Sequence, residues 1–231
     1  MKAILFGGTG MIGQGVLMEC LADPEVETLL IVGRGPSGAK HPKVTDLVLA
    51  DMFDYSSVAG ALGGFDTCFF CLGVSSAGMS EADYTRVTYD LTMAAARALL
   101  KANPGLTFCF ISGASTDSTE KGRAMWARVK GRTENALLGM GFKAAYMFRP
   151  GLIQPMKGIR SRTPSYRAFY AALGWLLPVV KAVLPSTITT TERLGLAMIN
   201  AAKKGYSTPI LETRDINLLA GPQERKIPLQ L

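Results

Sequence analysis

The chain has 231 residues, of which 48% are hydrophobic and 19% charged, and it carries a formal net charge of +7 at pH 7. This length and apolar share suffice for one sizeable core, so a single domain over residues 1–231 is expected, and a disordered, collagen-like or disulfide-stapled chain is excluded. The basic residues are scattered, with no interleaved basic and aromatic face, which argues against nucleic acid as a partner and leaves small anions such as nucleotides.

Strand-length apolar runs alternate with helix-length segments from residue 2 onward, the pattern of a parallel sheet with helices on both faces. Residues 2–6 read as a buried strand, 7–13 as a glycine-rich turn and 12–22 as a helix ending near Asp23-Pro24. A second strand spans 28–33, a third 44–50, and a short helix 55–62. The run 66–72 is apolar almost throughout, as suits a central strand. Ser80 is the expected cap of a long helix to residue 102, with Glu81 and Asp83 in its first turn and Asn103-Pro104-Gly105 as its stop. A fifth strand follows at 106–111, a helix at 126–138, and a sixth strand at 144–148 closed by Arg149-Pro150-Gly151.

Past Gly151 the alternation loosens. A basic loop to Arg162 precedes an apolar helix over 165–184, then a helix at 191–202, a short strand at 209–212 and a loosely held tail at 221–231. The fold class is therefore α/β: a Rossmann-type doubly wound parallel sheet, with residues 152–231 partly forming a small C-terminal substrate-side lobe. The apolar stretch 168–184 is broken by Pro178 and Lys181 and falls short of the roughly 20 residues of a membrane span. No transmembrane segment is expected, although weak peripheral contact with a membrane, or a homodimer, remains open.

Cys20, Cys68, Cys71 and Cys109 all lie in apolar runs, where a free thiol behaves as a small hydrophobe. Cys68 and Cys71 form a C-x-x-C, but on a strand residues three apart face opposite ways, so a redox or zinc site is not expected. With His41 as the one histidine, no metal site is expected either. The six residues before the glycines are too short for a signal peptide, and a reducing cytoplasm is the expected location.

The run G-G-T-G-M-I-G puts Gly7, Gly10 and Gly13 directly after a buried strand and at the opening of a helix. In that setting glycines allow a tight turn, close approach of a pyrophosphate to the backbone, and close helix packing, while free N–H groups favour the phosphates. The intervening Thr9, Met11 and Ile12 are assigned to the same dinucleotide site. Sites that prefer NAD carry an acidic residue at the end of the second strand; here that strand ends in Arg34, which can pair with a 2′-phosphate, with Lys40 and Lys43 adding to the field. The expected cofactor is NADP, with NAD as the alternative. Asp51, beside Met52 after the third strand, is placed to accept from an adenine amino group, or else to cap the next segment.

Six segments together, G-x-x-G-x-x-G, V-G-R, C-L-G, S-G-A-S, V-K-G-R-T-E-N and F-R-P-G, resemble the atypical branch of the short-chain dehydrogenase/reductase superfamily, near the NAD(P)H-binding proteins similar to Tat-interacting protein and to nucleoside-diphosphate-sugar epimerases. The resemblance covers about residues 1–155 and implies Leu72 and Gly73 near the adenosine ribose and phosphates and Pro150 near the nicotinamide. It also implies Lys130 as the ribose-holding lysine and Ser112 or Ser115 as the serine that polarises the substrate. The tyrosine of that pattern, four residues before the lysine, is replaced here by Trp126. An indole N–H donates but does not titrate in water, so it cannot be the general acid.

Two functions of different class follow. The first is an NADP-dependent oxidoreductase acting on a small carbonyl, enone or quinone-like substrate without the usual tyrosine. The second is a non-catalytic NADP(H)-sensing module that reports to a regulatory protein partner. A nucleotide-sugar epimerase or dehydratase stands third, since it too needs the tyrosine.

Overall fold

The computed structural model describes residues 1–159 and 187–222. Its centre is a seven-stranded sheet in the order β3-β2-β1-β4-β5-β6-β9, every pairing parallel. The strands are β1 (Lys2–Phe6), β2 (Thr28–Gly33), β3 (Val44–Val48), β4 (Thr67–Phe70), β5 (Thr107–Ile111), β6 (Ala144–Arg149) and β9 (Ile210–Glu212). The central runs are apolar at nearly every position because helices cover both faces. One face carries Phe6, Phe70, Phe108 and Phe110, whose rings form a ladder with centroids 5.1–6.1 Å apart. Phe69, Cys109 and Phe148 pack on the other face.

The helices divide between these faces. α1 (Met11–Ala22) and α5 (Thr191–Lys204) pack on the Phe69 side, while α3 (Leu91–Ala102), α4 (Met125–Leu138) and a 3₁₀ turn (Ser56–Leu62) belong to the Phe ladder side. α1 and α5 approach backbone to backbone: a Cβ on Gly15 would lie 2.6 Å from the Thr191 carbonyl oxygen, and one on Gly195 3.1 Å from that of Gly15. Register brings Phe6, Phe70 and Phe110 level, with Ile111 opposite Phe148, so the strands deliver their following loops along one rim.

Four features depart from the sequence expectation. The helix expected up to residue 102 is broken into α2 (Glu81–Thr85), a π-helical turn (Arg86–Asp90) and α3. Its start is as expected, with the Ser80 Oγ accepting from the Asp83 N–H at 3.1 Å. β7 (Leu152–Gln154) and β8 (Ile188–Thr190) pair as a separate small parallel sheet. α6 (Thr213–Leu219), started by a reciprocal Glu212–Asp215 capping box, adds a helix where none is expected. The third strand is shorter than expected, ending at Val48.

Cys68 and Cys71 lie on opposite sides of the sheet, and all four cysteines are free thiols. The apolar helix expected over 165–184 and nearly all of the expected tail lie outside the described residues. Among the described residues no helix is long and apolar enough to cross a membrane.

Candidate functional site

The loops after β1, β2, β4, β5 and β6 converge on a cavity of about 840 Å³. It opens where the chain winds outward in both directions from β1 and β4, the crevice in which open parallel sheets present ligand sites. The cavity has the size of a cofactor or small-ligand pocket.

Its floor is the glycine turn, in which each glycine meets a different need. Gly7 has φ +77°, and a Cβ there would lie 2.8 Å from the Cys71 carbonyl group, so the turn passes tightly under the end of β4. Gly13 faces inward, where a Cβ would lie 2.0 Å from the Gly7 carbonyl oxygen. Gly10 meets only the Gly7 oxygen, at 3.3 Å, and lines the cavity with Thr9, Met11 and Ile12. No side chain caps α1 at Gly10 and its first turn holds no acidic residue, so the helix start is free to receive an anion. The Gln14 amide braces the turn by donating to the Thr9 carbonyl at 2.9 Å. These features fit a diphosphate.

Around this floor stand Arg34 after β2, Leu72, Gly73 and Val74 after β4, Ser112 after β5, Lys130 and Trp126 on α4, and Pro150 after β6. Arg34 is exposed at the rim. Lys130 donates to the Ile111 carbonyl at 3.2 Å, with its ammonium 5.3 Å from the Phe110 ring centroid. Burial lowers its pKa to about 8, partly opposed by Glu134. Glu134, fully buried, is itself held by Arg149, whose Nε and Nη2 donate to its carboxylate at 3.0 and 2.5 Å. Ser112 is buried, and its hydroxyl shares a hydrogen bond of 2.9 Å with Thr116.

Five candidates stand elsewhere. Ser115 has φ +66° and turns out to solvent, away from the cavity lining. Asp51 lies outside the lining and accepts from the Phe53 N–H at 2.8 Å, the bland local role open to it. Met52 is buried among Leu49, Tyr55 and Leu62. Lys43 donates to the carbonyls of Leu21 and Asp23 at the end of α1, at 3.3 and 2.7 Å, and so does not join Arg34; Lys40 is also outside the lining. In each case the chain turns after the strand in a direction that residue order does not encode.

Sequence reasoning missed Tyr84 among the lining residues, along with Val74, Ser75, Ser76, Leu152 and Ile153. The position of Tyr84 in the first turn of a capped helix gives no sign of direction, because the π turn that follows leaves no mark in composition. Among the described residues no group of three or more His, Cys, Asp or Glu is placed to hold a metal ion.

No protein-family model matches the chain. It is 30% identical over 207 residues to the protein fmp52-1, mitochondrial, of Aspergillus terreus, covering 87% of this chain and 86% of that one. To the protein fmp52, mitochondrial, of Emericella nidulans it is 27% identical over 210 residues, 88% of each. Among solved structures, the Bordetella bronchiseptica enzyme WbmF in complex with NAD+ superposes with a TM-score of 0.66 at 13% identity, covering 94% of this chain and 76% of that one. A short-chain dehydrogenase/reductase family oxidoreductase from Burkholderia thailandensis gives 0.65 at 15%, covering 94% and 92%. At such identities the likeness is one of fold, and it is the fold of the short-chain dehydrogenase/reductase group. The relatives' names correct the expectation of a cytoplasmic protein: they are called mitochondrial. Free thiols report packing, since three of the four are fully buried, and do not separate one reducing compartment from another.

Proposed function

The chain belongs to the Fmp52 protein family, and from that premise we propose that it is a mitochondrial NADP(H)-dependent oxidoreductase acting on a small carbonyl or quinone-like compound. The observation that carries the reading is the joint lining of one cavity by the glycine turn, Arg34 and Lys130. The turn and the uncapped start of α1 would receive the diphosphate, Arg34 a 2′-phosphate, Lys130 the nicotinamide ribose, and Pro150 would lie near the nicotinamide. Bound there, the cofactor supplies hydride chemistry. Ser112 would polarise the substrate's oxygen. The motifs V-G-R, S-G-A-S and F-R-P-G support placing the chain near the Tat-interacting-protein and nucleotide-sugar-epimerase branch of the superfamily, with the whole chain as one cofactor-binding unit.

A second reading, a non-catalytic NADP(H) sensor, is favoured by one observation, the indole of Trp126 in the cavity at the place of the superfamily's tyrosine. Titration with NADPH and NADH, followed by NADPH oxidation against a panel of carbonyls, tests both. NADPH is expected to bind more tightly, and Arg34→Ala to cost it on the order of 1.5 kcal/mol, about tenfold in affinity, with little change for NADH. Equal affinities for the two cofactors would remove the NADP assignment, and binding without turnover would favour the sensor.

A further inference from the structure

Trp126 leaves Lys130 without a phenol on its own helix, yet the cavity contains one. Among the described tyrosines, Tyr55 lies in the core 6.3 Å from Phe6, and Tyr89 lies under the Arg132 guanidinium at 4.3 Å. The Tyr146 hydroxyl accepts from the Tyr206 N–H, and the Tyr206 hydroxyl donates to Asp215, both at 3.0 Å. Tyr84 lines the cavity together with Ser112, Trp126 and Lys130, and it is 2% exposed.

Three devices hold it there. The Ser80 cap starts its helix, and the Arg128–Glu81 ion pair, at 2.5 Å, ties α2 to α4, the helix of Trp126 and Lys130. The π turn Arg86–Asp90 then inserts an extra residue between α2 and α3. One extra residue rotates the preceding turn by roughly 100°, which frees the Tyr84 face from the core stripe of α3; such turns recur at functional sites.

We propose that Tyr84 is the hydrogen-bond and proton donor to the substrate's oxygen, in place of a tyrosine on α4, and that the substrate is an uncharged, planar carbonyl compound of the quinone class. This rests on the oxidoreductase reading above. The substrate class follows from the composition of the walls: Tyr84 and Trp126 are aromatic, which favours a flat partner, Val74, Leu152 and Ile153 are apolar, and a phenol hydroxyl suits a neutral carbonyl oxygen. In the reaction the quinone gains one hydride, supplied by the nicotinamide, and one proton, supplied by Tyr84. Hydroquinone and NADP+ result, and the phenolate regains its proton from water.

The probe is tetramethyl-1,4-benzoquinone, whose full substitution leaves the Cys71 thiol no open ring position to add to. Calorimetric titration into NADP+-saturated protein is expected to show binding that weakens about tenfold in Tyr84→Phe, which keeps the ring and loses the donor. Trp126→Leu is expected to weaken it at least as much, with the NADPH dissociation constant unchanged in both variants. Quinone-dependent NADPH oxidation should fall about a hundredfold in Tyr84→Phe. Wild-type quinone binding and turnover in Tyr84→Phe, or no quinone binding by a wild-type protein that holds NADP+, would overturn the proposal. Failure of the wild-type protein to bind NADP(H) at all would instead remove the reading on which it rests.

Discussion

Lys130 gives the site a pH dependence whose direction is fixed by its surroundings. Burial lowers its pKa from 10.5 to about 8 in the folded chain, so the unfolded chain holds the proton more tightly. Stability therefore rises with pH between about 8 and 10.5, and below that window the cost of the buried ammonium is fully present. Lys130→Met is expected to stabilise the protein at pH 7, by on the order of 1 to 2 kcal/mol given its partial exposure to solvent, and to have no such effect at pH 11; denaturant titrations at the two pH values check this. In the wild-type protein NADPH affinity should fall as pH rises above 8, where the ammonium loses its charge, and Lys130→Met should bind more weakly with that dependence gone. Single residues were legible where the backbone itself makes the demand, as at Gly7 and Gly13. Ser115, Asp51, Met52 and Lys43 were not, because their roles depend on how a loop turns after its strand.

Among elements, the strands and most helices could be read because continuous apolar runs and capping residues reflect burial and backbone needs directly. The π turn escaped, since Arg86–Asp90 keeps helical composition while changing the helical phase. β7 and β8 escaped although β9, equally short, was expected at 209–212: β7 directly follows the Arg149-Pro150-Gly151 stop, and β8 follows a long stretch outside the described residues. The α1–α5 contact is the element-level feature most exposed to a single change. A Cβ on Gly195 would lie 2.9 Å from Glu19 Cγ and 3.2 Å from Val16 Cα. Gly195→Val is expected to push α1 aside, destabilise the fold by about 1 to 3 kcal/mol and weaken NADPH binding through the displaced turn, whereas Gly60→Ala, with open space around its Cβ, should do neither. Thermal unfolding with and without NADPH separates the two variants.

At the scale of the molecule, the doubly wound sheet was legible from the alternation of elements, and the cavity's position follows from the sheet order, in which β1 and β4 lie side by side at the reversal. The substrate was not legible, because the side chains that line the cavity come from five separate loops and three helices. The close approach of Gly15 to Thr191 and Gly195 also bears on how the protein is made. In a chain made or threaded from its N-terminal side, the phosphate turn precedes by a long stretch of sequence the helix that braces α1. Contacts of such long sequence separation close late and slowly. A chain cut after Thr190 is accordingly expected to bind no NADPH by fluorescence titration, despite an intact glycine motif. Cofactor capture then becomes a signature of α5 having arrived: the nucleotide can stabilise only a molecule in which that helix already lies against α1.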